Sequence, residues 1–467
     1  MKTLAINILS IGSADISSRL IGLIAITYLA RILGPENIGI LSIGMAIFTY
    51  ASIISTMGLP SIGVRSISTR KSSTTHLVKQ IITARCFLST FSFVLGLGII
   101  MFWVPNQNIR NICILYLFSL FPSALMLEWL FQGYSKMKTL AIGRSLGMIT
   151  YLLIIIGIVS NSQDIYWVPF AWCAGLFVQA VYLWISYKIY CTPDNYSEQH
   201  LDLFKIIKEG LPIGISGLIS HSVIQFPIIY LGFFSTAENT GIFSVAFRFV
   251  IFLLVLDRVF YAIFFPTISK TYKDSIEKLE KHIIWSLKIV TNVSLFVAVI
   301  LFMMGGDIIS IIFGSQYHDS ILIFKILLFY FILTFNNSVF TFTLIGIEKE
   351  HLYTKSISFG AALFILIFLL PISLPPTIIV AIALAVNEGA SMIMMVYYLR
   401  KSISINFISR IFLPLSVYLI FSLHNYLFKS YFSTHTTIII IFSTLFAIAI
   451  STGINRNDIN TLKYYIK

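Results

Sequence analysis

Fourteen continuously apolar stretches of about 19 to 29 residues follow one another along this chain, and nothing else limits its fold so severely. They cover 4–32, 38–64, 80–103, 109–131, 139–159, 165–189, 206–233, 239–266, 282–304, 320–345, 352–370, 376–399, 410–428 and 434–453. Each is long enough, as a helix, to cross a hydrocarbon core about 30 Å thick. Barrel strands would alternate in pieces of about ten residues, and these stretches do not. The expectation is therefore an all-α polytopic membrane protein with about 14 transmembrane helices. A composition of 57% hydrophobic and 11% charged residues, with a mean hydropathy of +0.90, excludes a soluble domain. The first stretch is too long for a signal-peptide core and ends in no small-residue cleavage site, so it is expected to remain as a span.

The net charge of +13 could point to nucleic acid, but its distribution points elsewhere. With the N-terminus on the cytoplasmic side, 24 Lys and Arg fall in inner loops and tails and three in outer loops, Arg31, Arg110 and Lys429. That asymmetry is a topology signal, placing both termini in the cytoplasm and the protein in a plasma membrane; contact with anionic lipids is a by-product and no nucleic-acid partner is expected. Cys86, Cys113, Cys173 and Cys191 have no CxxC or metal spacing, so neither a metal nor a cofactor is expected. The outer loops are short; the longest, near 305–319, carries no catalytic constellation, and the chain is not expected to be an enzyme.

The chain repeats itself. ENIGILS at 36–42 returns as ENTGIFS at 238–244, with five identical positions and an offset of 202 residues. Six spans separate the copies, so both enter the membrane from the same side, as in a parallel repeat about an axis along the membrane normal. The same offset carries Ser18-Arg19 onto Ser220-His221.

Charges inside the spans are the candidate functional groups, because a charge at mid-bilayer costs about 2.5–3.5 kcal/mol on insertion scales and faces a polar interior. Asp15 and Arg19 are four residues apart on one helix face, which suits either a self-neutralised pair or a cavity pair. His221 suits packing as well as function. Arg248 lies about ten residues into its span, roughly 15 Å along a helix; Ser244, Val245, Ile251 and Phe252 offer it no acid, and Asp257 falls on the opposite face of a continuous helix. Glu388 is deep and without a basic neighbour one turn away, and with Asp257 it is a candidate for ion coupling. Glu128, near the inner end of its span, suits loop anchoring.

The segments YLARILGPENIGILSIGMAIFTYASIISTMGLPSIGVRSIS (28–68), EWLFQGYSKMKTLAIGRS (128–145) and AENTGIFSVAFRFVIFLLVLDRVFYAIFFPTISK (237–270) resemble the Wzx-like O-antigen and polysaccharide flippases of the multidrug/oligosaccharidyl-lipid/polysaccharide exporter superfamily. The resemblance runs over about 1–400. It implies two six-helix lobes around a central cavity: 1–190 and 206–400, a cytoplasmic linker at 191–205, and an accessory helix pair with a tail at 401–467. It further implies alternating-access movement of an undecaprenyl-diphosphate-linked oligosaccharide to the outer leaflet of the bacterial inner membrane. Arg19, Arg65 and Arg248 match the positions that handle the diphosphate, and Asp15 and His221 line the same region. The partners implied are that lipid-linked glycan, membrane lipids, and polysaccharide polymerase and chain-length machinery.

Two other functions of the same fold stay open: a peptidoglycan-precursor flippase, which sequence separates poorly, and a drug/cation antiporter, which should present unpaired acids where this chain places basic groups. A membrane polymerase or glycosyltransferase should carry a large outer loop or an acidic active-site loop, and neither is visible.

Overall fold

The computed structural model describes residues 2–69, 73–190, 202–401, 403, 407–428 and 434–453; for some of these, among them 2–17 and 219–222, only the backbone is described. The linker from 191 to 201, Cys191 and the tail beyond 453 lie outside the described residues. Every regular element among them is helical: α1 (Lys2–Thr56), α2 (Leu59–Ser68), α3 (Thr74–Trp103), α4 (Gln107–Leu117), α5 (Leu120–Ala124), α6 (Glu128–Gly133), α7 (Met137–Ile158), α8 (Trp167–Tyr190), α9 (Leu203–Phe234), α10 (Ala237–Leu253), α11 (Val255–Asp274), α12 (Ile276–Phe313), α13 (Ser320–Gly346), α14 (Glu350–Leu369), α15 (Pro376–Arg400), α16 (Phe407–Phe428) and α17 (Thr434–Thr452). Among the described residues nine helices are long and apolar enough to cross a membrane, or ten when the two parts of α9 count as one bent span.

The chain forms two compact units, Met1–Val245 and Ala246–Lys467. In the first, α1 packs on α3, α4, α7 and α9, and α7 on α8. Its 55 residues are two helices joined at Gly34, where φ 79° and ψ 171° demand glycine, and Pro35 starts the second helix without needing a donor. Asn37 donates back to the Leu33 carbonyl at 3.0 Å and to Ser162 O at 3.2 Å, satisfying a carbonyl that the turn had orphaned. Asn239, the same residue of the second motif copy, donates to Ser235 Oγ at 3.0 Å, also four residues back. Both copies therefore use their asparagine to hold a turn between helices, and both glutamates, Glu36 and Glu238, are exposed in the first turn of the helix that follows. The α9 span bends by 64° between Leu218 and Val223. Pro227 removes the N–H that would have bonded the Val223 carbonyl, so the bend sits where a proline kink belongs.

The second repeat signature is one of geometry. At the end of α6, Lys136 N–H reaches the Phe131 carbonyl (2.8 Å) and Ser135, at φ 56°, reaches Gln132 O (2.9 Å). At the end of α13, Lys349 N–H reaches the Leu344 carbonyl (2.8 Å) and Glu348, at φ 61°, reaches Ile345 O (3.1 Å). Gly-Tyr-Ser-Lys at 133–136 and Gly-Ile-Glu-Lys at 346–349 thus close two helices with the same Schellman turn.

Several expected spans are discontinuous. The second is the latter part of α1 plus α2, broken at Met57 and Gly58 (φ 39° and 72°) just before Pro60. The eighth is α10 plus α11, interrupted at Leu254. The fourth, 109–131, is three short helices, α4, α5 and α6. The expected outer loop at 305–319 is largely helix, because α12 continues to Phe313. In the second unit α13 packs on α12 and α15, α14 on α15, and the last two helices on α12. Phe302 of α12 meets Tyr418 (6.3 Å) and Phe421 (5.9 Å) of α16 edge-on, and the Lys325 ammonium lies 4.6 Å from the same ring.

Candidate functional site

In the second unit two half-buried carboxylates stand on different helices, Glu388 on α15 and Asp257 on α11. Glu388 of α15 accepts from Asn337 Nδ2 of α13 at 2.7 Å on one oxygen, and from its neighbour Asn387 at 3.2 Å on the other. The Asn337 amide also holds the Glu388 backbone carbonyl at 2.9 Å, so one side chain fixes both the helix and its carboxylate. Asp257 of α11 lies within electrostatic reach of Glu388 and beside Ser338 and Arg258. Asp257 Oδ1 and Asn337 Oδ1 are buried without a hydrogen-bond partner. A buried oxygen left bare costs free energy unless something occasional fills the role. Half-buried carboxylates on apolar helices are groups that can take up a proton or a small monovalent cation. Among the described residues no group of three or more His, Cys, Asp and Glu could hold a metal ion.

The charges of the first unit do a different job. Glu128, at the start of α6, takes a two-pronged bond from Arg144 of α7 (2.8 and 2.6 Å) and a third from Gln179 of α8 (2.6 Å). This is the geometry in which guanidinium and carboxylate bind most strongly, and it ties three helices together. Arg85 of α3, 3% exposed, donates to the carbonyls of Met126 (2.8 Å) and Ser123 (2.5 Å). Trp184 Nε1 donates to the Leu125 carbonyl at 2.9 Å. These carbonyls lie in the last turn of α5 and in the gap before α6, where the chain leaves the helix and no helical N–H follows, and side chains from α3 and α8 satisfy them. Pro122, inside α5, frees only the Phe118 carbonyl, which takes the Phe121 N–H instead at 3.2 Å. By its position in the sequence Arg85 is one of the inner-side basic residues, and nothing local marks it as a holder of carbonyls about 40 residues on.

Of the residues matched to diphosphate handling, Arg19 is half-buried in the first helix of α1 and Arg248 half-buried in α10; each is engaged by a neighbouring group. Arg248 stands one turn from Ser244, whose buried hydroxyl has no hydrogen-bond partner. Arg65 is exposed near the end of α2. Asp15 and His221 lie in helical backbone, and their side chains are outside the described residues. Asp257, expected on the face of a continuous helix opposite Arg248, stands at the start of α11, past the one-residue interruption at Leu254.

Solved structures share this fold. The lipid II flippase MurJ in an inward closed conformation superposes with a TM-score of 0.73 over 94% of this chain and 97% of its own, at 14% identity. An inward-facing multidrug resistance transporter of the MATE family, in the MOP superfamily, gives 0.64 over 85% and 98%, at 15% identity. Among curated proteins, one of Escherichia coli (strain K12) that carries the name O-antigen transporter is 24% identical over 333 residues, covering 69% of this chain and 78% of its own length. One of Shigella dysenteriae with the same name is 24% identical over 221 residues, covering 45% and 54%. Residues 4–272, more than half of the chain, match the model of the polysaccharide biosynthesis protein family. With that match over more than half of its length, the chain belongs to the polysaccharide biosynthesis protein family.

Proposed function

We propose that this protein carries an undecaprenyl-diphosphate-linked oligosaccharide repeat unit from the cytoplasmic to the outer leaflet of the bacterial inner membrane by alternating access, with both termini cytoplasmic. The observation that carries the reading is the family match over 4–272 in a chain whose deepest basic groups are arginines. Its lobes are 1–190 and 206–400, joined by the linker 191–205, with 401–467 accessory to them. Arg19 and Arg248, with Arg65 at the cytoplasmic entrance, grip the diphosphate, because a guanidinium binds two phosphate oxygens where an ammonium is a point charge. Asp15 and His221 complete the polar lining. Glu388 and Asp257 couple the cycle to a proton or a small cation, a role that half-buried carboxylates within the spans suit. Polymerase and chain-length proteins receive the product. A peptidoglycan-precursor flippase is the second reading, favoured over a drug exporter by the higher TM-score to MurJ. Deleting the gene separates them: accumulation of one surface-glycan precursor on the cytoplasmic leaflet, relieved by the wild-type chain and not by Arg248→Ala, supports the proposal. Arrested wall synthesis with normal surface glycan supports the second reading.

A further inference from the structure

The two copies of the repeated motif touch each other. A methyl group added to Gly39 would overlap the carbonyl oxygen of Ala237 and stand 2.9 Å from the Gly241 nitrogen; one added to Gly241 would overlap the carbonyl oxygen of Pro35 and stand 2.9 Å from the Gly39 nitrogen. Pro35 and Ala237 are related by the same 202 residues as the two glycines, so the contact is reciprocal, as a twofold axis passing between them requires. Neither glycine has a positive φ, so the turn itself does not need glycine at either place; the close approach of two backbones does. The pattern on each side is small-xxx-small, PENIG against AENTG, which lets helices meet with no side chain between them. One turn deeper, Ile43, 4% exposed, packs against Gly232 of α9.

Side chains that interdigitate must repack to separate, whereas two smooth backbones can part without changing a rotamer. Resting on the alternating-access reading, we infer that Gly39 and Gly241 form a separable closure at the end where α1 turns at Gly34, the outer end in the proposed orientation, and that this contact opens once in every transport cycle. An alanine at either position holds the closure apart.

The test uses the full-length chain in cells, with the four native cysteines replaced by serine and Ile43→Cys as reporter for a membrane-impermeant maleimide added outside. Labelling is expected to be slow in the parent and about tenfold faster in Gly39→Ala and in Gly241→Ala. The double variant is no faster than either single one, because both break one contact. Gly98→Ala and Gly157→Ala, where a methyl meets nothing within 4 Å, leave the reporter protected. Unchanged labelling with unchanged glycan export in both alanine variants overturns the inference. If neither accumulates in the membrane, Pro35→Cys with Ala237→Cys and intact glycines decides it: bridging by a short bismaleimide stops export, and continued export by the bridged protein overturns the closure. Maleimide labelling does not depend on what is carried, so faster labelling in a cell with no glycan defect counts against the substrate and leaves the closure standing.

Discussion

The helix pieces α4, α5 and α6 and the single helix α13 occupy matching places in the two repeats, end in the same Schellman turn, and are otherwise unlike. The first is broken between α5 and α6 and needs Arg85 and Trp184 to satisfy its loose carbonyls. The second runs unbroken for 27 residues and spends its polar side chains differently. Asn336 is locked into α12 by Thr291 (2.6 Å) and Ser294 (3.1 Å), and Asn337 holds Glu388. Duplication has kept the turn, which sets where each helix must stop, while the interior was free to diverge. In the first repeat a buried cation maintains structure, and in the second an asparagine holds the half-buried carboxylate of Glu388.

That contrast can be broken experimentally, most severely at Arg85. Arg85→Ala strips two backbone carbonyls of a charged donor, each such bond contributing about 1.5–3 kcal/mol. The variant is expected to lose most of its membrane accumulation, and Arg85→Lys to recover little, since one ammonium cannot reproduce the fork. Wild-type thermal stability of purified Arg85→Ala would mean that the break supports itself.

Glu128→Gln comes next, at about 1.5 kcal/mol, because an amide oxygen replaces the charged two-pronged acceptor of Arg144 in a pair about one-third exposed. The double change Glu128→Gln with Arg144→Gln should regain part of the loss in a thermal unfolding series, and a strictly additive double mutant would show the pair to be unimportant. In the second unit Thr291→Val removes one neutral hydrogen bond from Asn336 and should cost about 1 kcal/mol. A loss as large as that of Arg85→Ala would erase the distinction between the halves. Smallest in stability is Glu388→Gln, which can still accept from Asn337. Its unfolding temperature should stay close to wild type while export falls and loses its dependence on the ion gradient; full export would remove Glu388 from coupling.

The sequence announced the apolar stretches, the inner charge bias and the 36–42 and 238–244 repeat, because hydropathy and motif identity act locally and can be read one window at a time. The helix breaks were less legible. The break between α5 and α6 falls in a stretch apolar enough to pass as one span, and what decides the outcome is whether other helices can satisfy its carbonyls. That depends on Arg85 and Trp184, which come from α3 and α8. Glu388 and Asp257 stand out as charges in apolar stretches, but the hold of Asn337 on Glu388, 51 residues away, is a property of packing. The need for glycine at 39 and 241 was hidden for the same reason, since each answers to the other's backbone.

The claim that this chain moves a lipid diphosphate is tested most directly in sealed liposomes. Purified protein is reconstituted with a fluorescent undecaprenyl-diphosphate oligosaccharide placed on one leaflet, and the fraction reaching the other is read with a membrane-impermeant quencher. Wild-type protein is expected to carry the lipid across under an ion gradient, with Arg248→Lys losing most of that rate and Arg248→Ala nearly all of it. Equal rates for wild type, Arg248→Ala and protein-free liposomes would contradict the account.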